Sequence, residues 1–408
     1  MTHNKRIVFL LISIFIAGIG LGITLPVLPF YAERLMGTSN SFRDAMPIHI
    51  TGLTSIYALM QFLFGPIWGA QSDRVGRKRL ICIGILGTAV SQVLFGLSTS
   101  LPLLYGARIL GGVLSASLLP AATAYVADLS TDENRSRYMA WLGTVSSLAT
   151  VAGLAFGGGI SAADVHLKFM YFHVKFDGFS MPFFAAALLM TVTAVGAWFW
   201  LPESEPESPS TISTRSISWR SLVRALWPIL FLAVAGQVAL TAFEAIFPLY
   251  SQKQFGYGAK EVGSVFMICG LVMAVFQVIV VTYASRRVSG AVQLSLGFLM
   301  MGVGIILLSF ARQFSVVLIL VGVLALGMAF IAPNLAALSA KERGNHTGAA
   351  MGLLSGANSL GQVGGPLIGG MLYAWRIEAP YALGGLLMLI IAIITLAMRN
   401  KLSATLSV

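Results

Sequence analysis

Twelve apolar blocks of bilayer-crossing length constrain this chain more than anything else in it. They run near 7–28, 48–70, 80–99, 101–127, 138–161, 181–201, 224–250, 261–283, 291–311, 314–338, 348–373 and 379–398. A helix needs about 20 predominantly apolar residues to cross the hydrocarbon core. That core offers no partner to bare backbone groups, so only helices or a closed barrel can span it. Barrel strands would read as segments of about ten residues with alternating polarity. These blocks are longer and apolar all round. The expected fold class is therefore an all-α integral membrane protein with twelve transmembrane helices in a cell (inner or plasma) membrane. Charged residues make up only 10% of the chain, against about 25% in soluble domains. The first block follows Lys5 and Arg6 as a secretory signal would. No small-residue cleavage site closes it, and further spans follow, so it reads as an uncleaved first helix.

The net charge of +11 would suggest nucleic acid in a soluble protein. Here its distribution describes topology instead. With both termini cytoplasmic, internal loops and tails hold 17 of the 26 Lys and Arg residues, as the positive-inside rule requires. Cys82 and Cys269 both fall in apolar spans, which speaks against a disulfide framework or a metal site. No G-x-x-x-x-G-K-[ST] loop occurs, so ATP drive is not expected.

The chain repeats itself. SSLATVAGLAFGG (146–158) and NSLGQVGGPLIGG (358–370) are offset by 212 residues and share six of thirteen positions. Gly153, Gly157 and Gly158 answer Gly365, Gly369 and Gly370, with Pro366 beside them. Pro29-Phe30-Tyr31 answers Pro248-Leu249-Tyr250 at an offset of 219 residues. Two pseudo-symmetric six-helix bundles follow, expected at 1–201 and 224–408, joined by a polar cytoplasmic linker at 202–223. Small residues at these spacings let membrane helices approach closely. Paired repeats are a transporter arrangement suited to alternating access.

The stretch GAQSDRVGRK (69–78) resembles the loop signature of the major facilitator superfamily, G-x-x-x-D-R-x-G-R-[KR]. Gly365-Pro366-Leu367-Ile368-Gly369-Gly370 is similar to the superfamily's antiporter signature; the fifth span has Leu154 at the proline position. TLPVLPFYAERL, IYALMQFLFGPIWGAQSDRVGRK and the LPES after the sixth span look like tetracycline-type exporters, and TAFEAIFPLY looks like the quinolone and multidrug exporters. The resemblance implies the twelve-helix drug:proton antiporter family, a monomer that needs no cofactor beyond a proton gradient. It further implies that Asp73, Arg74, Gly76, Arg77 and Asp128 form a latch on the cytoplasmic side. An Asp–Arg pair can form in one state and break in another.

Two ionisable residues lie inside spans, Arg108 in the fourth and Glu244 in the seventh. Charge at membrane depth is costly and marks transport pathways. Arginine stays charged at any working pH. It can hold an anionic substrate or act on a nearby acid, or it can be a structural arginine bonded to Gln61 or Gln92. Burial disfavours the charged form of a carboxyl group, so Glu244 can load and unload a proton. The resemblance assigns both residues to proton coupling. The family's tenth-helix charges are missing from GMAFIAPN, which has Ala329 and Ala332. Polar and aromatic span residues suggest a substrate site: Gln61, Phe243, Phe247, Asn334 and Gln362, with Phe15, Tyr57, Gln237, Tyr250 and Asn358.

These features lead to a secondary transporter that exports small amphipathic compounds in exchange for protons. Export of one metabolite such as a siderophore or sugar, or proton-linked uptake, are the alternatives within transport. An intramembrane enzyme would need convergent catalytic groups at membrane depth, and none is visible in the sequence. A receptor would need a sizeable soluble domain. His166 and His173, in the external stretch Ala162 to Ser180, read as part of a solvated loop rather than a metal site.

Overall fold

The computed structural model describes residues 3–36, 40–130, 135–161, 180–203, 219–283, 288–341 and 347–398. Among these residues the chain is helical throughout, with no strand. The helices are α1 (His3–Met36), α2 (Asn40–Val75), α3 (Arg77–Gly96), α4 (Leu101–Ser115), α5 (Leu118–Asp128), α6 (Arg135–Ser161), α7 (Met181–Trp200), α8 (Trp219–Phe255), α9 (Ala259–Thr282), α10 (Gly290–Leu308), α11 (Phe314–Lys341), α12 (Thr347–Trp375) and α13 (Ala379–Ala397). Residues 162–179 of the external stretch, with His166 and His173, lie outside the described residues.

Each expected block falls on a helix, and α4 and α5 together form one apolar span, Leu101–Asp128. Its interruption at Ala116 and Ser117 has a local cause. Pro120 has no N–H to donate to the carbonyl of Ala116, and its ring crowds that carbonyl. Beside the break the Ser117 hydroxyl can donate to the carbonyl of Leu114 (2.8 Å) or of Leu80 (3.0 Å), the latter tying it to α3. Many helices leave large apolar side chains exposed, among them Phe199 on α7, Ile319 on α11 and Ile393 on α13. That pattern suits hydrocarbon as the surrounding medium.

Packing divides the chain into two units, Met1–Ile212 with Ser251–Met267, and Ser213–Tyr250 with Ile268–Val408. In the first unit, Tyr31, Phe95 and Phe183 form a buried aromatic cluster with ring centroids 4.7–5.7 Å apart. The Tyr31 hydroxyl can donate to the carbonyls of Gly96 (3.0 Å) and Ser98 (3.1 Å), which satisfies its polar end. In the second unit, Asn334 on α11 donates to Gln293 Oε1 on α10 (3.0 Å), and Ser295 on α10 donates to the carbonyl of Ala392 on α13 (2.8 Å).

The repeated glycines make equivalent contacts inside each unit. A Cβ at Gly153 would strike the Ile19 carbonyl of α1, and one at Gly157 would strike the Ile23 carbonyl. In the second unit a Cβ at Gly365 would meet the Val238 carbonyl of α8 at 2.6 Å, and one at Gly369 would meet the Ala242 Cβ at 3.1 Å. Val238 and Ala242 stand 219 residues after Ile19 and Ile23, the offset already seen for Pro29 and Pro248. The bulk, however, has changed sides. In the first unit Gly18 faces Ala149; at the corresponding point of the second, Gln237 faces Gly361. Gly370 and Pro366 are buried on α12; the side of Gly158 lies outside the described residues.

Candidate functional site

The N-terminal unit builds its site around Arg108. Extended Ser100 stands just before α4, with Pro102 in the first turn where its missing N–H costs nothing. Two turns on, Arg108 is 8% exposed. Its guanidinium carbon lies 4.9 Å from the ring centroid of Phe95 and 5.3 Å from that of Tyr57. Both rings are within cation–π range, and a desolvated pair of this kind contributes on the order of 2 kcal/mol. Its Nε has no hydrogen-bond partner, and among the described residues no carboxylate pairs with it. Neither glutamine reaches it. Gln61 donates to Ser115 Oγ (3.1 Å) and Tyr57 Oη (3.2 Å), which are themselves hydrogen-bonded at 2.8 Å. Gln92 donates to the Gly20 carbonyl and to Thr24 Oγ1. A positive charge is thus held by aromatic faces, with donors left over for an anionic group.

The turn between α2 and α3 carries the GAQSDRVGRK sequence. Gly76 has φ +104° and ψ 144°, a conformation open to glycine alone. Arg77 Nε donates to Asp128 Oδ2 at 3.1 Å and its Nη1 to Ser72 Oγ at 2.8 Å, so α3 is clamped to the ends of α5 and α2. Arg74 is exposed, and the side chain of Asp73 lies outside the described residues. The sequence reading did not single out Glu203. Its Oε1 accepts from the backbone N–H of Lys78 (3.0 Å), placing a carboxylate on the N-terminus of α3, where the helix dipole favours negative charge. The Tyr125 hydroxyl donates to the Pro202 carbonyl at 3.0 Å and fixes this strand of chain beside α5. The acidic residue in LPES was the available signal.

In the C-terminal unit, Glu244 sits partly buried on α8, flanked by Phe243 and three residues before Phe247. The two rings are 5.2 Å apart and both are buried. Among the described residues the Glu244 carboxyl makes no hydrogen bond or ion pair. About two and three turns earlier on α8, Gln237 and Ala233 border a cavity of about 270 Å³ between α8, α11 and α12. Gln237, Ser355 and Asn358 are its polar wall; Met328 and Met351 are polarisable, adaptable walls. Ala332, at the position where charge was missing, also borders it. Asn334 does not: it is engaged with Gln293 and the Phe330 carbonyl. Gln362 follows on α12, outside that lining. Among the described residues no group of three or more His, Cys, Asp or Glu comes together, and both cysteines are free and buried.

A family model described as Major Facilitator Superfamily matches residues 10–337 and 292–405. Multidrug resistance protein 2 of Bacillus subtilis is 29% identical over 412 residues, covering 98% of this chain and 97% of that protein. Quinolone resistance protein NorA of Staphylococcus aureus is 25% identical over 386 residues, 92% of each chain. Among solved structures, a bacterial homologue of the human lysosomal transporter Spinster, inward-facing and occupied, has a TM-score of 0.76 at 12% identity, covering 99% of this chain and 96% of its own.

Proposed function

The chain belongs to the Major Facilitator Superfamily, a family of membrane transporters, and we propose that it is a proton-coupled antiporter that exports small amphipathic compounds, multidrug fashion. Relatives matched over nearly their whole length are named for multidrug and quinolone resistance, which supports that substrate class. The protein works as a monomer by alternating access of its two repeated halves, with both termini in the cytoplasm and no cofactor. The proton gradient supplies the energy.

One observation carries the coupling: Glu244, a carboxyl group within an apolar span, has no partner among the described residues to fix its charge state. Such a group exchanges a proton when its surroundings change from apolar to wet. Arg108 stays charged and supplies the fixed cation. The mixed wall of Gln237, Ser355, Asn358 and two methionines suits an uncharged or amphipathic cargo that needs hydrogen bonds and adaptable apolar contact. The Arg77–Asp128 pair belongs to the latch that the loop signature implies.

The test is export of a cationic dye from everted or reconstituted vesicles under an imposed pH gradient. Glu244→Gln keeps the shape and removes the titration, so gradient-driven export is expected to fall at least about tenfold with normal protein levels. Full, proton-dependent export by that variant would defeat the coupling scheme. The free donors of Arg108 favour a second reading, export of an acidic metabolite. Under it a deletion strain keeps its dye and antibiotic susceptibility unchanged while retaining an anionic compound.

A further inference from the structure

A second cavity in the C-terminal unit, of about 140 Å³, lies between α8, α10, α12 and α13. It is apart from the mixed cavity above and shares no lining residue with it. Phe243, Ile246, Ile368 and Leu387 are representative of its walls, which carry no charge. A charged ligand is therefore excluded, since nothing there would replace its hydration. The rim residues Ile368, Leu383 and Leu387 are 44–48% exposed and continue into the exposed apolar face of α13 at Leu386, Ile390 and Ile394. On a spanning helix that face meets hydrocarbon, so the cavity opens to lipid.

Two details point to an occupant. Tyr381 lines the cavity and is only 2% exposed, yet its hydroxyl has no hydrogen-bond partner. Its ring is set against Tyr250 with centroids 4.4 Å apart, and the Tyr250 hydroxyl donates to the Ser309 carbonyl at 3.3 Å, which anchors the pair. An unmet buried hydroxyl is uncommon because it forfeits the bond it had in water. Gly384 also lines the cavity, and a Cβ built there would meet nothing within 4 Å. Apolar cavities of about 150 Å³ stay dry and bind benzene. We infer that this cavity is a lipid-accessible binding site for a neutral single-ring aromatic compound bearing one hydrogen-bond acceptor, such as an aryl ketone, whose oxygen accepts a hydrogen bond from the Tyr381 hydroxyl.

The site goes beyond the export reading and is testable without any gradient. Full-length protein in phospholipid nanodiscs is titrated with 4-fluoroacetophenone and with 4-fluoroethylbenzene, which lacks the acceptor, by fluorine NMR; protein-free nanodiscs correct for partition. Saturable binding of the ketone is expected. Gly384→Leu fills the cavity and lowers affinity for both probes at least about tenfold; Gly384→Ala, the milder filling, gives an intermediate loss if the larger residue impairs folding. Tyr381→Phe lowers affinity for the ketone by about two- to tenfold, the worth of one hydrogen bond, and leaves the ethylbenzene analogue unchanged. Equal binding in folded Gly384→Leu, an equal effect of Tyr381→Phe on both probes, or partition no greater than in empty nanodiscs overturns the inference. So does binding that vanishes as phospholipid is added at fixed free probe, which would make an acyl chain the occupant. Failure here leaves dye export by the parent chain untouched, so the two readings fail separately.

Discussion

Replacing Gly76 by alanine should damage the protein through two separable effects. The first is conformational. At φ +104° and ψ 144° a Cβ is strained whatever the surrounding space, at a cost of about 1–3 kcal/mol. The second is a contact: a Cβ there would lie 2.5 Å from Glu203 Oε1 and 2.7 Å from its carboxyl carbon. The Glu203 side chain can swing away, but it then releases the Lys78 N–H that it accepts at 3.0 Å. A hydrogen bond to a charged group contributes about 1.5–3 kcal/mol; this one is exposed, so roughly 1 kcal/mol is the better figure. The expected total is about 2–4 kcal/mol. Thermal unfolding of the purified, solubilised protein is measured for the parent, Gly76→Ala, Glu203→Ala and the double variant, with dye export followed in parallel. Gly76→Ala should lower the midpoint more in the parent than in the Glu203→Ala background, because only the backbone strain survives in the latter. Parent-like midpoint and export in Gly76→Ala would refute the strained turn. An equal loss in both backgrounds would refute the role given to Glu203.

Other substitutions probe other links. Arg108→Lys keeps the charge but loses the flat guanidinium that lies against Phe95 and Tyr57; export should drop at least about tenfold at unchanged expression, measured in the same vesicles. Gly153→Ala drives a methyl group into the Ile19 carbonyl and should cost about 1–3 kcal/mol. Gly143→Ala, on the same helix with open space around it, should be neutral or gain up to about 1 kcal/mol; comparing the two midpoints separates close approach from glycine content alone.

Hydrophobic length made the spans legible, because hydrocarbon imposes the same demand on every helix. The break at Ala116 and Ser117 was also within reach, since Pro120 stands four residues after Ala116. Arg108 could be named as a buried charge, but its partners could not. Tyr57 and Phe95 come from α2 and α3, and nothing in a one-dimensional pattern joins them. Polar residues in apolar helices are similarly ambiguous. Gln237 and Asn358 line a cavity whereas Asn334 is spent on Gln293, and no periodicity distinguishes the two uses in helices apolar all round. Ser355 and the methionines of the cavity passed as ordinary span residues. Glu203 was hidden for another reason: its target is a backbone N–H 125 residues away, and backbone groups leave no mark on the sequence.

Gly18 facing Ala149 in one unit and Gln237 facing Gly361 in the other have a genealogical meaning. If both pairs descend from one ancestral interface, volume was handed from one helix to its neighbour after the duplication, and each intermediate had to avoid both a collision and a hole. The descendants are no longer spare parts for each other. A graft that carries α12 alone into the place of α6 would bring a glycine to meet a glycine, and the reciprocal graft would set Ala149 against Gln237. Only exchange of helices as matched couples preserves the fit, so recombination between such halves must cut outside the couple to leave a working protein.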